Sequence, residues 1–495
     1  MKEKIDSIVF EKRAFINGEY VEALSGNVIQ KVSPIDGRKL PDLTACENED
    51  VDRAVQSAKN AYRSRIWADT SLEEKKYTMY KLADLMEECL EELAILDAIE
   101  TGRAIKNYYF DSIPKAIRVM RWFSEAIDKY YGQATFMRKS EFATITKEPL
   151  GVVGIITPWN DPLVVATWKL APALLMGNSV VLKPAEQSSF SILKVAALAK
   201  EAGLPNGVFN VVTGYGEIAG KALASHMDVN GVFFTGSTNV GKLIMQYAGQ
   251  SNLKKIGLEC GGKSPFIISK NCNRLEEATS ILAKNMFYNQ GQICSAPSRL
   301  IVHSDIKEKV LELLRKEAVK YIPGNPLCLY SEVGCVISED QKKRIEDYIR
   351  QGETSGAKIV KFDYDASRLP LKNYVIPVIF DNVKPESSFA REEIFGPVLS
   401  VLEAHSLQEA ITIANDSLYG LASSIWTDLL EEAYYATRML ESGIVHVNCY
   451  GEDDNTVPFG GIKESGFGKD KSMYAFEEYS VTKTTWMHFS FPKDL

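Results

Sequence analysis

Several groupings that would declare a common chemistry are missing from this chain. Its eight cysteines, Cys46, Cys89, Cys260, Cys272, Cys294, Cys328, Cys335 and Cys449, include no Cys-x-x-Cys pair and no dense spacing. That argues against a disulfide framework and for reduced thiols. The five histidines (His226, His303, His405, His446, His488) lie far apart, with no HExxH, so no metal site is expected. A basic surplus is lacking as well: the net charge is −8, which argues against a nucleic-acid partner and mostly serves solubility. No apolar run is long and clean enough for a membrane span. The most apolar zone, 151–182, is interrupted by Asn160, Asp161, Lys169 and prolines, and reads as buried strand and helix. The opening residues, MKEKIDSIVFEKR, show no apolar secretory core, so a soluble, cytoplasmic protein is expected. Internal repeats and low-complexity tracts are not visible either.

What remains is an ordinary globular composition, 45% hydrophobic and 25% charged over 495 residues, with room for about two or three domains. From about Asp50 to Tyr131 apolar residues recur at helical spacing, as in Met79, Leu82, Ala83 and Met86. A strand-like run, Phe142 to Thr146, follows Gly132. Short β-rich runs at 151–157, 179–183, 208–213 and 231–234 then alternate with helical patterns at 189–201 and 217–224. Such alternation predicts a parallel sheet wrapped by helices, with nucleotide binding at the strand C-termini. Further strands are expected at 254–259 and 265–268, a second α/β series from about 262 to 442, and a terminal strand within 479–491.

Two segments carry chemistry. In Phe287-Tyr-Asn-Gln-Gly-Gln-Ile-Cys-Ser-Ala296, Cys294 follows a glycine break after an apolar helix-like run. A nucleophilic cysteine needs such a constrained, cleft-facing turn and help in reaching the thiolate form; a lone thiol can equally be an inert small hydrophobe. In Phe233-Phe-Thr-Gly-Ser-Thr-Asn-Val-Gly-Lys-Leu243 a glycine-bearing turn joins strand to helix, a position suited to phosphate. The spacing Gly236-x4-Gly241-Lys242 imitates a P-loop, but Leu243 stands where Ser or Thr would bind magnesium. GxGxxG is also absent. Lys183 and Glu186 end another strand. A carboxylate there can accept both adenosine-ribose hydroxyls and repel a 2′-phosphate, which favours NAD over NADP.

Taken in order, TPWN (157–160), KPAE (183–186), FTGSTNVG (234–241), LECGGKSP (258–265), FYNQGQICSA (287–296), EEIFGPV (392–398), NDSLYGL (415–421) and VPFGG (457–461) resemble the aldehyde dehydrogenase superfamily. The likeness runs from Phe15-Ile-Asn-Gly to Lys483-Thr. A narrower likeness is to γ-glutamyl-γ-aminobutyraldehyde dehydrogenase and ω-aminoaldehyde dehydrogenases. It is carried by Ile113-Pro with Arg121-Trp-Phe-Ser-Glu-Ala, and by the 456–472 stretch.

The resemblance implies an α/β, aldehyde dehydrogenase-like fold. A Rossmann-type NAD-binding domain is expected at 1–125 and 150–259, and a catalytic domain at 260–442. A small β oligomerisation arm is expected at 126–149 and 475–495, and a substrate-funnel segment at 443–474. A homodimer or homotetramer follows from the arm.

It also implies that Cys294 attacks an aldehyde, that Asn160 and the Cys294 backbone N–H hold the oxyanion, that Glu259 activates the hydrolytic water, and that Lys169 and Asp470 support them. NAD would be held by Ile156, Thr157, Pro158, Trp159, Lys183, Glu186, Gly216, Gly220, Gly236, Ser237, Val240, Gly241, Glu393 and Phe395.

The funnel would be lined by Asp111, Asp161, Trp168, Glu452, Asp453 and Phe459. Many family members carry an aromatic residue where Asp161 stands, so acid from three segments converges here. That suggests an ω-amino or guanidino aldehyde, while Lys115 beside Asp111 would suit a γ-glutamylated one. Three alternatives stay open: a broad-specificity enzyme for uncharged aliphatic or aromatic aldehydes, a non-catalytic structural or binding member of the family, and a thiol hydrolase or transferase that needs no nicotinamide. Asp161 before Pro162 is also what a helix N-cap looks like.

Overall fold

The structure is a computed structural model that describes residues 5, 8–370, 372–451 and 454–490. Glu452 and Asp453, two of the expected funnel residues, lie outside the described residues.

The first half of the chain is helical where the spacing requires it. In Leu72–Glu88, Met79, Leu82, Ala83 and Met86 all face the core. The helix starts in a reciprocal cap: Ser71 Oγ accepts from the Glu74 N–H at 3.2 Å, and Glu74 returns a bond to the Ser71 N–H at 3.3 Å. Leu90–Thr101 follows and is stopped by Gly102 at φ +75.

An eight-stranded sheet runs in the order 19–21, 14–16, 209–211, 179–183, 152–156, 231–235, 255–259, 466–467. Its five central strands are parallel. From Val152–Ile156 the chain winds outward first through Ser179–Lys183 and Phe209–Val211, then back on the other side through Gly231–Thr235 and Lys255–Glu259. The sheet order therefore reverses between Val152–Ile156 and Gly231–Thr235. That is where parallel sheets open a ligand crevice at their strand C-termini.

A second, seven-stranded sheet (358–359, 378–381, 398–404, 299–303, 265–268, 422–426, 444–447) is parallel except for its first strand. Both sheets are covered by helices, which explains why their strands read as continuous apolar runs and not as alternating ones. A third sheet, Ser480–His488 with Glu141–Pro149 and Gln133–Arg138, is antiparallel and carries exposed Phe136 and Trp486. The tail strand ends at His488; Phe491 lies outside the described residues. Among the described residues, no helix is long and apolar enough to cross a membrane.

Candidate active site

Helix Leu275–Phe287 ends in a turn that no simple glycine break describes. Asn289 and Gln290 both take left-handed φ (50° and 57°), and Gly291 follows at 67°. Two ordinary residues in that region store strain and need outside support. They receive it from the side-chain amides of Gln290 and Gln292. Gln290 bonds both the C=O and N–H of Val375, and Gln292 bonds the Asn289 carbonyl and the Ile337 N–H. Gly291 packs so closely that a Cβ would lie 2.4 Å from the Gly396 carbonyl oxygen. Beyond this brace the chain delivers Cys294, half-buried, to a cleft of about 1330 Å³. Asn289, Gln290 and Gln292 were not singled out from the sequence; three amide residues around one glycine were the available signal.

Asn160 leaves the sheet at the C-terminal side of Val152–Ile156, and its Nδ2 donates to the Gln292 carbonyl at 3.1 Å. The oxyanion candidate is thus fastened to the cysteine loop itself. Glu259, the last residue of Lys255–Glu259, also lines the cleft, buried, with neither carboxylate oxygen hydrogen-bonded to protein. Burial, then the nearby Asp470 charge, hold its carboxyl well above the usual range, against the pull of Lys169 and Lys469. Lys169 and Asp470 form a buried ion pair at 2.7 Å; Asp470 lines the cleft with Glu259 and Cys294, and Lys169 stands behind it.

The Cys294 thiol is pushed up to about 12, first by burial and then by the charges of Glu393 and Glu259. Two carboxylates therefore oppose an anionic sulfur. A thiolate forms here most readily when its proton moves onto a nearby carboxylate, so that no second negative charge is added. Glu393, itself raised to about 7 by burial, accepts the Gly262 N–H at 3.0 Å and lies against Gly261.

The crevice at the sheet reversal suits a dinucleotide. Thr157 and Thr235 end the strand runs on either side of it, with hydroxyls buried and unpartnered. Trp159 and Phe395 meet edge-on at 5.3 Å, and Phe395 sits at left-handed φ, its carbonyl held by Gln341 at 2.8 Å. Pro158, Trp159, Gly236, Ser237, Glu393 and Phe395 line the same cleft as Cys294. Ile156, Thr157, Lys183, Glu186, Gly216, Gly220, Val240 and Gly241 are not among its lining residues. Lys183 and Glu186 bond each other at 2.9 Å at the end of Ser179–Lys183, and the Glu186 carbonyl accepts from Lys31, which is ion-paired with buried Glu100. Ser237 caps Thr238–Gln250 by accepting the Val240 N–H. Gly241 is a packing residue, because a Cβ there would meet Cys260 Sγ at 2.7 Å.

At the funnel, Trp168 and Phe459 pack at 5.1 Å, with Lys115 and Lys471 over the Trp168 ring. Asp111 is exposed on a turn of π-helix, Tyr108–Ser112, and accepts the Tyr288 hydroxyl at 3.3 Å. Asp161 sits at the N-cap position of Pro162–Leu175 yet makes no side-chain cap bond. Its Oδ2 lies 3.2 Å from Arg103 Nη1 instead. The cleft also gathers Lys106, Lys284 and Arg118, so its walls carry both signs and are not uniformly acidic.

A family model for the aldehyde dehydrogenase family matches residues 20–485. The chain is 43% identical, over 98% of its length and 97% of the relative's, to the NADP/NAD-dependent aldehyde dehydrogenase PuuC of Escherichia coli (strain K12). It superimposes on a γ-glutamyl-γ-aminobutyraldehyde dehydrogenase from Burkholderia cenocepacia J2315 with a TM-score of 0.95, at 45% identity and 98% coverage of both chains. A complex of the P. syringae indole-3-acetaldehyde dehydrogenase AldA with NAD+ and IAA matches with a TM-score of 0.96, at 43% identity and 99% coverage of both.

Proposed function

From the premise that this chain belongs to the aldehyde dehydrogenase family, we propose that it oxidises an aldehyde to the carboxylic acid through a covalent adduct on Cys294. The observation that carries the reading is the meeting of Cys294, Asn160 and Glu259 in one cleft that opens onto the sheet's reversal point.

The cysteine sulfur adds to the aldehyde carbon, forming a C–S bond as the thiol proton passes to a carboxylate of the cleft, Glu259 or Glu393, which releases it to solvent before hydrolysis. The carbonyl oxygen then carries the negative charge. Asn160 Nδ2, already anchored on the catalytic loop, and the Cys294 N–H are the donors for it. NAD, when bound, supplies the acceptor for the hydride that leaves the former aldehyde carbon, and a thioester stays on Cys294. Glu259 takes a proton from water as that water attacks the thioester. Its raised proton affinity fits a base working near neutral pH. The acid departs and the thiol is regenerated.

Trp159, Phe395 and Glu393 would hold the nicotinamide half of the cofactor. The Lys183–Glu186 pair would hold the adenosine ribose, where the carboxylate disfavours a 2′-phosphate. We read residues 1–125 and 150–259 as the nucleotide part and 260–442 as the catalytic part, with strand Ile444–Val447 completing the second sheet and Gly466–Phe467 returning to the first. The three-stranded arm, with its exposed Phe136 and Trp486, is a surface for another copy of this chain.

The substrate class we favour is an aldehyde whose far end bears an amino, guanidino or γ-glutamylamino group. The aromatic inner wall, Trp168 and Phe459, would cover its methylenes, and exposed Asp111 would meet the cation. Each methylene so covered contributes about 0.8 kcal/mol. The same aromatic wall favours a second reading, an uncharged aromatic aldehyde. Steady-state formation of reduced cofactor with 3-aminopropanal, 4-guanidinobutanal, butanal and phenylacetaldehyde distinguishes them. A preference of tenfold or more for the cationic pair is expected on the first reading, and equal or lower kcat/KM for them refutes it.

A further inference from the structure

We propose that Arg103 is a specificity-determining residue: it neutralises Asp161 and leaves Asp111 as the carboxylate that meets a cationic substrate group. The proposal rests on the aminoaldehyde reading above for its substrate. Its physical basis stands apart from that reading.

Arg103 follows the helix-ending Gly102, and the turn is clamped by the Cys335 N–H on the Gly102 carbonyl at 2.8 Å. The side chain is buried and sandwiched. Its guanidinium carbon lies 4.9 Å from the Tyr108 ring centroid and 4.8 Å from that of Tyr288. Nη2 donates to the Tyr288 hydroxyl at 2.5 Å, and that hydroxyl donates on to Asp111. Nη1 faces Asp161 at 3.2 Å, while Asp111 is 4.0 Å from Nη2. A buried guanidinium cannot shed its proton, so the group is a fixed positive charge between two carboxylates. It is nearer and better shielded on the Asp161 side. Asp161 Oδ2 also accepts the Ser112 hydroxyl at 3.4 Å, which further occupies it. Asp111, exposed, held by one hydroxyl and only at the outer limit of an ion pair with Arg103, is the carboxylate that a substrate ammonium can approach without breaking a buried pair. Lys115 faces the same two carboxylates from the adjoining helix.

The test is the ratio of kcat/KM for 3-aminopropanal to that for isosteric butanal. It is measured in the native enzyme, Arg103→Gln, Asp161→Asn, Asp111→Asn and the double variant Arg103→Gln/Asp161→Asn. Removing Arg103 uncovers a negative charge, so the ratio should rise by roughly five- to tenfold. Asp161→Asn leaves Arg103 unbalanced and should lower it, and Asp111→Asn should lower it too. The double variant removes both members of the pair and should return within about twofold of native. Because it removes both members of the Arg103–Asp161 pair, it also guards against a single variant that fails to fold. A double variant as low as Asp161→Asn means that Asp161 itself recognises the cation, and overturns the proposal; so does a ratio unmoved by Arg103→Gln. A native ratio near one removes the aminoaldehyde reading alone, since the shift from native to Arg103→Gln still decides Arg103's part.

Discussion

The Gln290 side chain clasps the backbone of Val375 from both sides, Nε2 donating to its carbonyl at 3.1 Å and Oε1 accepting its N–H at 2.8 Å. This grip spans residues far apart in sequence and holds the strained turn that aims Cys294.

Gln290→Ala therefore leaves two buried backbone groups of Val375 without partners, at about 1–3 kcal/mol for each such group. The strain of the left-handed pair is then released by local rearrangement. Expected outcomes are a lower apparent Tm and a loss of at least about tenfold in kcat. Thermal unfolding and steady-state kinetics check both; native-like kcat would show that the turn holds itself.

Asn160→Ala removes an oxyanion donor together with the bond that ties the 157–160 segment to the cysteine loop. A fall in kcat of about 10²–10³ is expected, with little change in KM for cofactor. Retention of more than a tenth of native kcat would assign the oxyanion to other donors.

The Cys294 thiol, raised to about 12, should be a slow nucleophile in the enzyme without cofactor. Its rate of alkylation by iodoacetamide, followed by peptide mass spectrometry, should climb about tenfold per pH unit from pH 7 to 10 without a plateau. Glu393→Gln removes the larger of the two opposing charges and should speed alkylation at pH 8. A plateau below pH 8 in the native enzyme would contradict this.

Glu259 binds its proton more tightly in the folded protein than in the unfolded chain. The stability this gives is complete below the unfolded carboxyl value and is lost as pH rises through the raised folded value. Glu259→Gln should thus gain apparent Tm relative to native as pH goes from 5 to 9, while the acyl-enzyme accumulates. A pH-independent difference in Tm, or undiminished turnover, would remove Glu259 from this role.

The alternation of strand and helix from 151 to 268 was legible because both faces of each central strand are covered, which leaves short unbroken apolar runs bounded by turns. Met79, Leu82, Ala83 and Met86 announced their helix by spacing alone. Cys294, Glu259 and Asn160 were legible as a set because their motifs recur in a fixed order, and the fold brings all three to one cleft.

The hidden features depend on contacts between distant residues. Nothing near Asp161 in sequence reveals Arg103, 58 positions earlier, so Asp161 read as an open anion or a helix cap. The strain at Asn289 and Gln290 was hidden for the same reason, since Val375 supplies its support. Glu452 and Asp453 lie outside the described residues.

Phe459 and Asp470 are joined by a reciprocal pair of backbone hydrogen bonds, each 2.8 Å, and the Asp470 carboxylate grips Lys169 within the helix that starts at Pro162. The aromatic face that a substrate meets and the charge environment of Glu259 consequently share one mooring. Grafting new funnel walls onto this scaffold should spare turnover when the exchanged stretch stops short of that ladder. A graft reaching through it would retune selectivity and hydrolysis together.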